Sequence, residues 1–387
     1  MAKHSPLGTG TPDATDTGPH PMGAARGPRL YFVQWLRVWL IISVVAHHSA
    51  EAYVPGPGGW PFKDPSTTPF LSPMMGLNAA YFMGFFFLIS GYFLSGSYDR
   101  KGGWAFVKSR LVRLGIPLVV MVVFLFGFES YASSGVETGF WSYLLTVYLG
   151  QLQLEFGHLW FIAHLLFYAL VYAAWRALRS KPATGGLLSA PGHLAILVYV
   201  LALAVVGALV RQAYPQNTWV NFLWIIPVEP AHLPQYLSLF TLGVIAGRGE
   251  WFAKIDNKVA LVWFAIGVLA FASYVFDLVP SVIIRTIGGE AVWGIQEAFI
   301  CVGMILGLLV FFRSRFSAPS KHINLLAGDV YGVYILHVFA VLGFQAMLLG
   351  VDLHPLIKFP VVLTCSLAVT FGVVDLLRRA PGVARVI

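Results

Sequence analysis

An arginine, two adjacent histidines and a glutamate lie inside a strongly apolar stretch near the start of the chain, "WLRVWLIISVVAHHSAEAY", which covers residues 35–53. The step from Arg37 to His48 is close to three full helical turns, so both side chains share one helix face, about 16 Å apart along the axis. His47 points about 100° away from that face. Glu51 lies one turn beyond His48, within side-chain reach. This arrangement predicts acid–base chemistry, with His48 as the base and Glu51 as a group that orients or charges it.

A structural alternative exists for the same stretch: Arg37 could extend to the membrane surface while the histidines lie at the interface. However, Arg37 lies about seven residues inside the predicted span, which is deep for such an extension. A charged side chain in the hydrocarbon region costs about 3 kcal/mol or more. We therefore favour a polar cavity, lined by Arg37 and His48 at different depths.

Polar side chains on three other predicted helices lie towards the outer side of the membrane. Glu297, in "WGIQEAF", lies about two turns inside, where an unpaired carboxylate is unfavourable. It should face the bundle interior, where it either stabilises a charged imidazole or pairs with a polar group of another helix. His158 and Trp160 open a helix at the outer boundary, and His337 shares a helix side with two tyrosines in "DVYGVYILHVF". These last three residues are candidates for substrate binding. The structural alternatives are an interfacial aromatic belt and a hydrogen-bonded core histidine.

Basic residues cluster on the cytoplasmic side, in "YDRKGGWAFVKSRLVRLGIP". Lys108, Arg110 and Arg113 lie at the predicted membrane surface, and the two arginines are neighbours on a helix. One interpretation is anchoring to anionic lipid. The other is a clamp for the phosphates of a nucleotide-bearing donor. The basic residues inside and the histidines and carboxylates outside suit a cytoplasmic anionic donor that serves chemistry nearer the outer leaflet.

The composition is that of an all-α, polytopic membrane protein: 58 % of the 387 residues are hydrophobic and only 11 % are charged, against about a quarter charged in soluble domains. Cys301 and Cys365 fall in different apolar spans and predict neither a disulfide nor a zinc site. Residues 1–29 are expected to form a disordered cytoplasmic tail, 30–378 the membrane domain, and 379–387 a short cytoplasmic tail. Ten helices are predicted, at roughly 30–50, 74–97, 114–132, 158–178, 191–212, 233–249, 259–279, 290–312, 328–349 and 358–377.

The orientation follows from the distribution of lysine and arginine. With the N-terminus in the cytoplasm, 20 of the 25 basic residues fall on the cytoplasmic side, while Arg37 lies within the first helix. The other four fall in outer loops: Lys63, Arg211, Arg285 and Lys358. This bias predicts that both termini are cytoplasmic and that the protein crosses the cell membrane several times. It also accounts for the net charge of +8 without invoking nucleic acid.

At this point the chain resembles membrane acyltransferase family 3, which includes O-antigen and other surface-polysaccharide O-acetyltransferases. "WLRVWLIISVVAHH" fits the Arg-x10-His motif of that family, and "FFFLISGYFLSGS" followed by "KSRLVRLGIP" is similar to its second helix and Arg-x-x-Arg-containing segment. "GHLWFIAHLL", "YLSLFTLGVIAGR" and "YGVYILH" resemble later landmarks. The likeness runs from about residue 29 to 378. The chain departs from the family pattern in its doubled histidine, where the spacing selects His48.

The resemblance implies acyl-CoA-dependent O-acylation, most commonly acetylation, of a carbohydrate or a related hydroxyl acceptor in the cell envelope. Arg37 and His48 match the Arg-x10-His pair, and Arg110 and Arg113 match the basic pair. The expected donor is therefore acetyl-CoA or another acyl-CoA, held by Arg110, Arg113, Lys108 and Arg37, with no metal. His48 would act as base or transient acyl carrier, and Glu51 or Glu297 would stabilise its charged ring.

Two other functions fit parts of the sequence. Ten helices with buried charges also suit a proton-coupled secondary transporter, with His48 and Glu297 as relay groups. An acyltransferase-like scaffold without activity is disfavoured because Arg37 and His48 are both present. The acceptor, the acyl chain length, a covalent acyl-histidine and the oligomeric state are left open.

Overall fold

The computed structural model describes residues 30–56, 59–179 and 189–387, so the predicted disordered tail at 1–29 lies outside the described residues. The described residues are 77 % helical, nearly all-α as expected. The part of the chain that the structure describes contains ten long helices: α1 Tyr31–Glu51, α2 Ser72–Lys101, α3 Gly103–Ser134, α4 Trp160–Leu178, α5 His193–Ala213, α6 Leu233–Gly249, α7 Asn257–Val275, α8 Gly289–Arg315, α9 Lys321–Leu348 and α10 Pro355–Arg378.

Eight of these helices are long and apolar enough to cross a membrane, within the described residues. Helices α1 and α6 are present where they were predicted but are not among the eight. Helix α1 carries the arginine, histidines and glutamate that lower its apolarity, and α6 has only 17 residues. The predicted count of ten spans is thus supported for eight helices.

Helix α3 is not a regular α-helix. Wider π turns occupy Leu111–Gly115 and Met121–Phe126, and a third lies at Leu144–Tyr148 in the next segment, after the short helix Phe140–Tyr143. Such turns are uncommon and often lie at functional positions. The first of them contains Arg113, whose carbonyl accepts a 2.7 Å hydrogen bond from the Tyr331 hydroxyl. The periodicity of the sequence did not predict this irregularity.

A small β-hairpin lies between α5 and α6 and was not predicted. Strands β1 Val220–Phe222 and β2 Ile226–Val228 pair antiparallel, with Val220 opposite Val228. Leu223 and Trp224 adopt positive φ angles of 51° and 61° at the turn, as tight hairpin turns require. His164 of α4 hydrogen-bonds the carbonyl of Pro227 at 2.9 Å, which ties the hairpin to α4.

Side chains cap the N-terminal ends of several helices at the surface. Asp256 precedes α7 and accepts hydrogen bonds from the N–H groups of Lys258 and Val259, at 2.8 and 3.0 Å. The Val259 N–H, assisted by that of Lys258, lowers the pKa of this carboxyl. Ser320 caps α9 in the same way, and His354 caps α10. The oxygens of Asp256 and Ser320, and Nδ1 of His354, accept from N–H groups that lack a partner within the helix.

Helix α1 lies at the centre of the bundle. It packs chiefly against α9 and also against α2, α8 and α10. The apolar stretches of α2 and α8 are 78 % and 67 % buried, whereas those of α5, α7 and α10 are only 17–22 % buried and form the periphery. The helix that carries Arg37 and His48 is thus enclosed by protein along most of its length.

Glycines allow α2 and α6 to pack at very short distance. A Cβ atom on Gly243 would lie 2.3 Å from the carbonyl oxygen of Leu88, and one on Gly247 would lie 2.1 Å from that of Tyr92. On the α2 side, a Cβ on Gly91 would lie 2.2 Å from the Phe240 carbonyl. Gly243 and Gly247 are four residues apart, the small-residue spacing that lets helix backbones approach in membranes.

Gly243→Ala should therefore destabilise the bundle, by about 1–3 kcal/mol, because the added methyl group forces α2 and α6 apart. The measurement is thermal unfolding of the purified protein in detergent. Gly372→Ala in α10 is the matched control, since nothing lies within 4 Å of a Cβ at that position. Equal stability of the two variants would contradict the close packing.

Candidate active site

A cavity of about 930 Å³ opens at the end of the bundle where α1 terminates. It lies between the C-terminal end of α1, the N-terminal parts of α2, α4 and α6, and the segment that leads into the hairpin. Aromatic side chains form much of its wall, including Trp60, Trp160 and Trp219. Its ionisable lining includes His48, His158, His232, Glu51 and Glu229. This volume is typical of a small-molecule site, and its wall combines the aromatic side chains with many polar and ionisable ones.

His48 is held from two directions. The Trp60 indole stacks on its ring, with centroids 5.0 Å apart and planes inclined by 15°. The Trp60 Nε1–H donates to Gln345 Oε1 at 2.7 Å, and Gln345 Nε2 in turn donates to the carbonyls of His48 at 3.1 Å and Ser49 at 3.3 Å. One glutamine on α9 thus fixes both the stacking partner of His48 and the backbone that carries it.

The segment that carries Trp60 is anchored by a buried ion pair. Lys358 at the start of α10 donates to Asp64 at 2.6 Å, and both side chains are almost completely buried. The backbone of Asp64 also bonds Ala52, and Thr68 bonds Tyr53. Lys358 was counted in the sequence as an outer-loop charge. Its burial gives it a structural role instead.

Two further imidazoles lie next to His48. The His337 ring is 5.2 Å from the His48 ring between centroids, and the His158 ring is 5.1 Å from that of His337. His158 Nε2 lies 3.0 Å from the Ile335 carbonyl, and the Tyr334 hydroxyl donates to the carbonyl of His158. The three histidines singled out from three separate sequence segments therefore meet in one place. Trp160 lines the same cavity.

Glu51 does not pair with His48 as expected. Its carboxylate lies 3.4 Å from His47 Nε2, four residues earlier on α1. On a helix a step of four residues aligns side chains better than a step of three, about 40° off rather than about 60°. The His48 ring is also turned towards Trp60 and His337. Glu51 thus remains at the cavity wall, but as the partner of the other histidine.

Glu297 also has partners other than His48. It accepts a hydrogen bond from Arg211 of α5, and its second oxygen lies 2.9 Å from His232 Nε2. His232 Nδ1 lies 2.6 Å from Glu229, which also accepts the backbone N–H of Asn217 at 2.7 Å. The side chains of Arg211, Glu297, His232 and Glu229 are all buried. The expectation of a polar partner on another helix is met, and the expected contact with a charged His48 ring is not.

This buried network compensates its own charge. His232 lies just before α6, outside the spanning helices. Burial lowers its pKa, but Glu297 and Glu229 outweigh this effect and raise the pKa to about 9. With His232 protonated, two cations face two carboxylates, which is the condition under which buried ions are tolerated. The network reaches the cavity through His232 and Glu229.

A second cluster of charges lies towards the other end of α1 and is not compensated. Arg37 and Arg110 are half-buried, while Arg113 and Lys108 are exposed. Arg113 lies close enough to Arg37 and to Arg110 for electrostatic repulsion. Within the described ranges the arginines that pair with a carboxylate are others, namely Arg176, Arg211, Arg378 and Arg379. This basic cluster, defined by Arg37, Arg110 and Arg113, therefore suits an anionic ligand.

Several residues of the site were not found from the sequence. Trp60 and Gln345 hold His48 in place. Trp60 lies in a predicted outer loop and Gln345 lies eight residues after His337, and neither forms a motif of regular spacing in the sequence. Arg211 was counted as a loop charge, and Glu229 and His232 occur in the connection "PVEPAHLP". These three ionisable groups lie at the end of α5 and just before α6. Their position beside two apolar helices was the signal from which the buried network could have been predicted.

The fold and the site define a multi-pass helical membrane protein with an imidazole-lined cavity at one end and an uncompensated basic cluster towards the other. A comparison with protein families agrees: the family described as "Acyltransferase domain" (Acyl_transf_3) matches residues 30–379. The chain belongs to this acyltransferase family, which confirms the resemblance noted in its motifs. Searches of curated proteins and of solved structures gave no match.

The buried network generates a prediction about Glu297. Glu297→Gln should lower the free energy of unfolding by about 3–5 kcal/mol, because two interior cations then share one carboxylate. Thermal unfolding in detergent measures this loss. The matched control is Glu250→Gln, which breaks a pair with Lys254 whose side chains are 55 % and 46 % exposed, and it should cost about 0–1 kcal/mol. A Glu297→Gln protein as stable as the control would contradict a structural role.

Proposed function

We propose that the protein is a membrane-embedded O-acyltransferase that moves an acyl group, most simply acetyl, from cytoplasmic acyl-CoA to a hydroxyl of a carbohydrate or related acceptor. The observation that carries the proposal is the placement of His48. It lines a large cavity at one end of α1, while Arg37 belongs to an uncompensated basic cluster towards the other. Membership of the acyltransferase family supports acyl transfer.

The basic cluster supports an anionic donor. Arg113 repels both Arg37 and Arg110, and none of the three has a carboxylate partner among the described residues. A polyanion that binds between them would stabilise all three. Guanidinium groups suit phosphate oxygens because they can donate two parallel hydrogen bonds. The phosphates of CoA fit this chemistry, with Arg110 and Arg113 as the primary contacts, Arg37 deeper in the bundle and Lys108 at the exposed edge.

The reaction assigned to the cavity needs one base. His48 removes the proton from the acceptor hydroxyl, and the oxygen attacks the thioester carbonyl. The carbon–sulfur bond then breaks, and the CoA thiolate takes the proton from the His48 ring, which leaves an ester, free CoA and neutral histidine. In a variant of this scheme the imidazole carries the acyl group between donor and acceptor. His158 and Trp160 contribute to the wall that receives the acceptor.

The alternative of a proton-coupled transporter has no support from the family comparison. Its relay also needed His48 and Glu297 to act together, and the described partners of Glu297 are Arg211 and His232. Acyl transfer therefore agrees best with the family comparison and with the partners of Glu297. We place it in the cell membrane, with the basic cluster facing the cytoplasm.

His48→Gln should abolish acyl transfer, with a loss of at least about a hundredfold, because the base for the acceptor proton is removed. The measurement is release of free CoA thiol from acetyl-CoA by protein in nanodiscs, with membranes from a gene-deletion strain as the source of acceptor. His47→Gln is the neighbouring control and should retain most activity. If His48→Gln keeps full activity at normal expression, the proposed function is wrong.

Replacing both Arg110 and Arg113 by Gln should raise the KM for acetyl-CoA by about tenfold or more, since two charge-assisted contacts to phosphate are lost. The effect should shrink as salt is added, because exposed charges are screened. Arg179→Gln, which also removes a positive charge, provides a control just beyond the end of α4, where the guanidinium lies over Trp175. An unchanged KM in the double variant would remove these arginines from the donor site.

A further inference from the structure

The hydrogen bonds of His337 fix the position of its proton. Its Nδ1 lies 2.7 Å from the carbonyl of Tyr334 and 3.2 Å from that of Val333. A carbonyl oxygen can only accept, so Nδ1 must carry the hydrogen. In the neutral ring Nε2 is then a bare acceptor. This Nε2 atom is buried and has no hydrogen-bond partner among the described residues.

His48 presents the complementary nitrogen. Its Nδ1 is also buried and without a partner in the described part of the chain. Its Nε2 is not among those buried atoms, and the ring lines the cavity. The ring therefore has one nitrogen directed into protein and one that a ligand can reach. Two unsatisfied nitrogens on contacting rings, with centroids 5.2 Å apart, form an unusual pair, since buried polar groups normally find partners.

Other candidates for the proton of His48 are already engaged. Glu51 pairs with His47, and Glu297 pairs with Arg211 and His232. His158 donates its Nε2–H to the Ile335 carbonyl, and its ring contacts His337. Trp60 covers the His48 ring by stacking and directs its own N–H to Gln345. Two rings that contact His48 keep a buried nitrogen without a described partner: that of His47, with centroids 5.7 Å apart, and that of His337, at 5.2 Å. His47 is the next residue on α1, and its side chain leaves that helix about 100° away from that of His48. His337 lies on α9, which packs against α1, and is therefore the better placed acceptor.

We propose that His48 Nδ1–H donates to His337 Nε2 in the working enzyme, so that His337 positions the catalytic imidazole and stabilises its charged form. The ring centroids lie 5.2 Å apart, and catalytic hydrogen bonds are often long or poorly aligned before substrate binds. The contact keeps the His48 proton on Nδ1 and the lone pair on Nε2, facing the cavity. It is the part that a carboxylate plays in a serine–histidine–aspartate triad, here filled by a neutral imidazole. The catalytic consequence rests on the proposed acyl transfer, whereas the tautomer does not.

The proton balance is simple. His48 Nε2 takes one proton from the acceptor hydroxyl and later returns it to the CoA thiolate. The Nδ1–H stays on His48 throughout, and His337 keeps its own Nδ1–H on the Tyr334 carbonyl. No metal or additional reagent is required for this cycle.

Kinetics separate positioning from substrate binding. In the thiol-release assay His337→Leu should lower kcat about a hundredfold with an unchanged KM for acetyl-CoA. His337→Gln, which restores an acceptor oxygen, should recover much of that loss. His322→Gln, an exposed histidine at the start of the same helix, should behave like the wild type. A higher apparent KM for the acceptor membranes at unchanged kcat would instead make His337 an acceptor-binding residue and overturn the proposal.

Nitrogen-15 NMR of histidine-labelled protein in bilayers gives a test without turnover. The His48 ring, assigned by its absence in His48→Gln, should show the Nδ1–H tautomer in the wild type and lose it in His337→Leu. A His48 tautomer that does not depend on His337 overturns the inference. If the wild type releases no thiol yet shows this dependence, the hydrogen bond holds and the proposed acyl transfer fails, so the two failures are distinguishable.

Discussion

The requirement to shield α1 from lipid determines much of the arrangement around it. The stripe formed by Arg37 and His48 cannot face hydrocarbon without a cost of several kcal/mol. The helix is accordingly enclosed by α2, α8, α9 and α10, and the glycine-mediated packing of α6 against α2 adds a further layer. The peripheral helices α5, α7 and α10 then supply the lipid-facing surface, with most of their apolar stretches exposed.

Within this shielded interior, pairing distinguishes groups that stabilise the fold from groups left free to act. Lys358 is matched by Asp64, and Arg211 and His232 are matched by two glutamates. By contrast, the guanidinium groups of the basic cluster pair with no carboxylate among the residues that the structure describes, and one nitrogen each of His48 and His337 lacks any described partner. The other buried charges of the interior are paired. Polar groups without a partner in such an interior are typical of a ligand-binding site.

The sequence was informative where a single helix carried the information. The step from Arg37 to His48 lies within α1, so helical geometry alone placed both side chains on one face. The apolar runs located the ten long helices, eight of which are long and apolar enough to span a membrane within the described residues. These runs could not show the π turns of α3 or the hairpin, because both depend on local backbone geometry and on contacts such as that of His164 with Pro227.

The sequence pattern could not predict contacts between segments that are far apart in the chain. Glu51 was assigned to His48 by reach, but the choice between two adjacent histidines is made by Trp60 and His337, which come from other parts of the chain. Glu297 was correctly expected to face inwards, yet its partner Arg211 is 86 residues away. A one-dimensional pattern gives the face and depth of a polar group, whereas the partner depends on how the helices pack.

The rigid spacing along α1 has a consequence for the donor. Arg37 and His48 are fixed to one continuous helix, so the distance between the basic cluster and the base cannot adjust to the length of the molecule that spans it. If acyl-CoA binds as proposed, the fixed separation of Arg37 and His48 sets the distance that the donor must span between its phosphates and its thioester. A truncated thioester without the nucleotide could not contact the basic cluster and His48 at the same time. Selection of the donor would then rest on length as well as on charge.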